Sequence, residues 1–134
     1  MNFDKKILKL LRKFGYAIKG LRTSIKEEKS LVIHLIIAFL TLIAGMILQL
    51  NTISWAIIIV VIAIVISSEL INTTIENLVD MVSFKFNFNA KKIKDVAAAS
   101  TLILAICAII VAFLIFIPRI IEFANFGYGY NGWN

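Results

Sequence analysis

Three long uncharged stretches dictate what this chain can fold into: Leu31 to Leu50, broken only by His34; Thr52 to Ser68; and Val96 to Pro118. Each is close to the roughly 20 residues that a helix needs to cross about 30 Å of hydrocarbon. In water, runs of this kind must be hidden in a core. A chain of 134 residues that is 60% hydrophobic and only 16% charged has too little polar surface to hide them. The fold class is therefore an all-α membrane protein, one integral-membrane domain over residues 1–134, with spans at about 31–50, 53–81 and 95–118. The first run starts too late and is too long to be a cleaved signal segment.

Basic residues set the expected orientation. Nine precede the first span (Lys5, Lys6, Lys9, Arg12, Lys13, Lys19, Arg22, Lys26, Lys29), four lie between the second and third, none falls between Gln49 and Thr52, and Arg119 follows the third. The positive-inside rule then puts the N-terminus and the second loop in the cytoplasm and the C-terminus outside. The net charge of +6 is accounted for by topology and by attraction to anionic lipid, so no nucleic-acid partner is implied. The lone Cys107 forms no intrachain disulfide.

Ahead of the first span, Phe3, Ile7, Leu10, Phe14, Ile18, Leu21 and Ile25 fall within an arc of about 80° on a helix, while lysines and arginines project elsewhere. This pattern predicts an amphipathic surface helix over about 3–28, lying on the inner membrane face. The second span meets no Gly or Pro between Trp55 and Met81 and so continues as one rod past the membrane edge. Ser83 to Lys94 reads as a cytoplasmic loop, with Asp95 placed to begin the third span. The Ala97 to Ser100 run is small enough for another helix to approach closely. No chemistry attaches to the tail NFGYGYNGWN.

Polar chemistry concentrates on the rod of the second span. Glu69, Asn72, Glu76 and Asp80 sit at i, i+3, i+7 and i+11 and share an arc of about 80°. Glu69 is expected about one turn inside the hydrocarbon boundary, with Glu76 and Asp80 about 10 Å and 16 Å further along. A charge within a membrane helix costs about 2.5 to 3.5 kcal/mol on insertion scales, so such a stripe points either to function or to an ion-pair seam with Lys94 or an N-terminal lysine. P-loop, dinucleotide-fold and zinc-hydrolase motifs are all missing from the sequence. Any phosphate chemistry here must use side chains. Glu69 and Glu76 are too far apart on one rod to share a single magnesium ion, which leaves Glu28, just before the first span, as the available second carboxylate.

The blocks "ELINTTIENLVD" (69–80) and "KKIKDVAAAS" (91–100) closely resemble the signature of the prokaryotic diacylglycerol kinase family, small three-span lipid kinases that include undecaprenol kinases. "GYAIKGLR" (15–22) and "EEKSLVIH" (27–34) match the same family in order and spacing, and the resemblance runs from about Lys9 to Phe113. The chain departs from the E-x-N-x-R-I-H pattern of Gram-positive-type members at Ser30 and Val32 but keeps Ile33 and His34.

The resemblance implies ATP- and Mg2+-dependent phosphorylation of a lipid hydroxyl by a homotrimer in the bacterial inner membrane, with sites that can combine neighbouring subunits. It makes Glu69 the general base and places Glu69 and Ala98 at the lipid. Glu28 and Glu76 bind the divalent cation, ordered by Asn72. Lys9, Tyr16, Glu28, Glu76, Lys85, Asn87, Lys94 and Asp95 surround ATP, and Asp80 supports the nucleotide region. The "VIH" segment and the "KKIKDVAAAS" block look more like undecaprenol kinases, so undecaprenol is the favoured substrate and diacylglycerol the alternative. A reading from another class, a non-catalytic scaffold or small transporter with an acidic stripe, predicts neither ATP turnover nor lipid phosphate.

Overall fold

The computed structural model describes residues 3–83 and 87–127, and among these every element is helical. Four helices follow in order: α1 (Phe3–Glu27), α2 (Lys29–Ile47), α3 (Thr52–Val82) and α4 (Phe88–Phe126). The last three are long and apolar enough to cross a membrane. Lys85 and the residues after Gly127 lie outside the described residues.

The helix α1 stops where Glu28 turns to extended backbone (φ −109°, ψ 105°), and α2 begins at once. Its apolar residues Ile7, Leu10, Phe14, Ile18, Leu21 and Ile25 all stay exposed, so the rest of the chain does not cover that face.

A tight turn joins α2 to α3. Gln49 takes a left-handed φ of 53°, and the Asn51 side chain caps α3 by accepting from Ser54 N at 2.8 Å. Next to the turn, Gly45 is buried, and a Cβ there would lie 3.0 Å from both Leu50 and Trp55 side-chain atoms. Only a residue without a side chain lets the indole pack so close to the α2 backbone.

The helices α3 and α4 pack most extensively. Buried Glu69 and Thr73 on α3, and Ala97 and Thr101 on α4, form i, i+4 pairs of one face each. Of the small-residue run, only Ala97 is buried within the chain; Ala98, Ala99 and Ser100 are exposed.

One expectation from sequence is corrected here. Of the expected loop Ser83 to Lys94, the part from Phe88 on is helix: α4 starts at Phe88, capped by Asn87, whose side chain accepts from Asn89 N at 2.9 Å. Asparagine is a strong N-cap, and its signal lies upstream of the carboxylate expected to start the helix. Asp95 therefore stands inside α4, which also runs beyond Pro118 to Phe126.

Polar contacts mark both ends of the bundle. Lys94 of α4 meets Asp80 of α3 at one end, and Arg119 of α4 meets the α2–α3 turn at the other. These two cations stand about 37 Å apart along α4, just more than the roughly 30 Å of hydrocarbon between them.

Candidate functional site

Helix α3 supplies the stripe and grades it by exposure. Glu69 is buried with 6% of its surface exposed, Asn72 and Glu76 are half-buried, and Asp80 is exposed. Glu69 follows the apolar run that ends at Ile66 and is packed inside the chain, whereas Asp80, on the polar continuation, is exposed. Among the described residues no hydrogen-bond donor reaches the Glu69 carboxylate. The side chain is packed, but its carboxylate oxygens are not among the fully enclosed unpartnered atoms, so a group from outside can still reach them.

One turn along, Asn72 donates through Nδ2 to Glu76 Oε1 at 2.9 Å. A carboxylate only accepts, so the amide nitrogen must face it and the amide oxygen must face away. That oxygen, Asn72 Oδ1, is buried and has no hydrogen-bond partner. An orphaned buried acceptor beside a carboxylate suits a hard cation, which takes oxygen ligands from carboxylates, amides, phosphates and water. Among the described residues no three of His, Cys, Asp and Glu stand together as a metal cluster. The donor set fits magnesium held by few protein oxygens, with phosphate and water completing the shell. Glu28, half-buried at the α1–α2 break, makes no side-chain cap hydrogen bond, so its carboxylate is not spent on the helix it precedes.

Lys94 does not stand alone. Its ammonium donates to both Asp80 oxygens, at 2.9 and 3.1 Å, which is the ion-pair seam weighed from the sequence. Lys94 lies before the apolar run of α4, and its proton is held above the usual lysine range by the Asp80 hydrogen bond first, with the charges of Asp80 and Glu76 adding to it. The contribution of a group raised in the folded state is complete below its ordinary value and is lost as pH rises through the raised one, so Lys94 stays protonated at neutral pH. An ammonium has three donors, and the pair leaves capacity for a further acceptor.

The remaining expected residues are spread out. Lys9 and Tyr16 are exposed on α1, and Asn87, Asp95 and Ala98 are exposed along the first turns of α4. Within one chain, then, the structure draws together the α3 stripe and Lys94 but does not fold α1 over them. His34 is turned to its own helix, its Nδ1 2.9 Å from Ser30 O.

In the sequence Arg119 is marked only as a charge after the third span. It is buried, with Nε donating to Leu48 O at 2.6 Å, one terminal nitrogen to Gln49 O at 3.2 Å and the other to Glu122 Oε2 at 2.9 Å. A lone arginine following a proline at the end of an apolar run, with an acid three residues on, was the available signal.

The comparisons with known proteins agree with this distribution of polar groups. The family described as prokaryotic diacylglycerol kinase matches residues 15–116, which takes in the Glu28 break, the α3 stripe and Lys94. An undecaprenol kinase of Bacillus subtilis (strain 168) is 33% identical over 112 residues, covering 84% of this chain and 91% of the relative. A diacylglycerol kinase of Synechocystis sp. is 31% identical over 114 residues, covering 84% of this chain and 65% of that relative. With three apolar helices, a buried acid at the membrane end of a polar ladder, and these relatives, the chain belongs to the prokaryotic diacylglycerol kinase family of membrane lipid kinases.

Proposed function

We propose that the protein transfers the γ-phosphoryl group of ATP to the hydroxyl of a membrane lipid, undecaprenol in preference to diacylglycerol, at the cytoplasmic face of the inner membrane. The observation that carries the reading is the burial gradient along α3: Glu69 buried, Glu76 half-buried, Asp80 exposed. A lipid hydroxyl resides at the membrane boundary and ATP comes from water, so a site joining them needs such a gradient.

In this reading Glu69 is the general base. It takes the hydroxyl proton as the lipid oxygen bonds to the γ-phosphorus and the bond to the β-phosphate bridging oxygen breaks, releasing ADP. Glu76 and Glu28, with the orphaned Asn72 oxygen, are the groups that would hold magnesium, whose chemistry there is neutralisation of triphosphate charge. Lys94, steadied by Asp80, offers its remaining donor to a phosphate, and Lys9, Tyr16, Lys85, Asn87 and Asp95 surround the nucleotide. Ala98, exposed on α4, leaves room for the lipid.

The helix α1 lies on the inner leaflet with its uncovered apolar face in the lipid and its lysines towards the headgroups. The N-terminus is cytoplasmic and the C-terminus outside. A homotrimer brings α1 of one subunit to the stripe of another, which accounts for the absence of that contact within one chain. The preference for undecaprenol rests on the greater identity and coverage of the undecaprenol kinase relative. A scaffold or transporter is not favoured, because family membership supplies a reaction and the buried Glu69 lacks the ion-pair partner that a seam requires.

The test is phosphorylation by purified protein with Mg-ATP and separate micellar panels of undecaprenol and diacylglycerol. Labelled lipid phosphate from undecaprenol at the higher kcat/KM is expected. Inertness towards both alcohols with intact protein would sink the kinase reading.

A further inference from the structure

A cavity of about 210 Å³ lies between α2, α3 and α4, and nothing in the site above uses it. On α3 its lining begins at Ile66 and Val65, three and four positions before Glu69, so its inner end opens one turn from the proposed base on the same helix face. From there it runs towards the opposite side of the bundle along α3 to Ile58 and along α4 to Phe116.

The lining is hydrocarbon apart from His34 and Thr41, and both of these bond back to carbonyls of α2 itself. The Thr41 hydroxyl already donates to Ile37 O at 2.8 Å. His34 Nδ1 lies 2.9 Å from the Ser30 carbonyl of its own helix. The backbone N–H groups are engaged in the helices. An occupant bearing ester carbonyls would bury acceptors against a largely hydrocarbon wall, whereas an unsaturated hydrocarbon tail loses nothing. Diacylglycerol carries its two esters within a few bonds of its hydroxyl. A polyprenol carries none.

We propose that this cavity takes the first isoprene units of a polyprenol whose terminal hydroxyl lies at Glu69, and that its hydrocarbon lining sorts such alcohols from acylglycerols. The proposal rests on the lipid kinase reading and adds the tail site and the basis of selection.

Filling the cavity tests it. Ala108 and Ala112 line it from α4, while Ile103 is exposed on the same helix and outside the lining. Full-length Ala108→Phe and the milder Ala112→Val are compared with the control Ile103→Phe on undecaprenol and on prenol, a single-unit alcohol too short to reach Ala108. The readout is the ratio of kcat/KM for the long alcohol to that for the short one, in which any loss of folded protein cancels. The ratio falls about tenfold in Ala108→Phe, less in Ala112→Val, and holds in Ile103→Phe. Retention of radiolabelled undecaprenol by the purified proteins in micelles is measured alongside and falls in the same order.

An unchanged ratio with unchanged retention would overturn the proposal. So would equal losses on both alcohols with a changed oligomer mass, because the cavity would then hold a side chain of a second copy. A parent protein that phosphorylates neither alcohol defeats the kinase reading instead, and retention of labelled undecaprenol still decides the cavity.

Discussion

The two polar ends of the α3–α4 pair are built on opposite principles. At the Arg119 end every nitrogen of the guanidinium has a partner, two of them carbonyls of the α2–α3 turn. At the Glu69 end a buried carboxylate has no donor among the described residues and a buried amide oxygen is orphaned. Both ends bring charge to the edge of hydrocarbon, and only one settles its hydrogen bonds within the chain. The satisfied end is structural. In the proposed reading, the unsatisfied end is the one that receives groups from outside.

The sharpest way to break this contrast is Glu69→Gln, which keeps shape and burial but removes the base. Lipid phosphorylation is expected to fall by about 10²- to 10⁴-fold while the thermal unfolding midpoint in micelles holds or rises. Parent-like turnover, or collapse of the fold, would make Glu69 resemble Arg119. Next in size is Glu76→Gln, for which a roughly tenfold higher magnesium requirement is expected in titrations at fixed ATP, with the maximal rate partly recovered at high magnesium.

At the other end the expectation inverts. Arg119→Met leaves the Leu48 and Gln49 carbonyls and the Glu122 carboxylate without their donor, and a loss of about 3 kcal/mol in unfolding free energy is expected. Activity per folded molecule should stay at the parent level. Lost activity with unchanged stability would reverse the assignment of the two ends.

The smallest stability effect belongs to Asp80→Asn. The Asp80–Lys94 pair is exposed, and such pairs contribute little in water, so no shift in the unfolding midpoint is expected. A several-fold rise in the KM for ATP would separate a nucleotide role from a merely solvated pair.

Much of the architecture was legible because the bilayer imposes harsh rules. Runs of about 20 apolar residues have few fates, and the 3.6-residue period placed Glu69, Asn72, Glu76 and Asp80 on one side of one rod. The start of α4 was less legible. Asn87 as a cap and Asp95 as an early carboxylate are both reasonable helix-start signals, and the basic residues between them looked like loop although lysine is a good helix former. Arg119 was hidden for another reason: its partners are backbone carbonyls more than one span away, and a carbonyl leaves no mark in a sequence.

By itself the sequence determined three membrane helices, their basic flanks and a single-faced row of acids, since each follows from residue type and local helical spacing. Tertiary structure alone decided that Glu69 is buried without a donor, that Asn72 turns its nitrogen to Glu76 and orphans its oxygen, that Lys94 pairs with Asp80, and that Arg119 closes the far end. Apart from the Asn72–Glu76 bond, which joins neighbours one turn apart on α3, those outcomes depend on which surfaces of distant segments come to share one small volume, where a polar atom either finds a partner or does not.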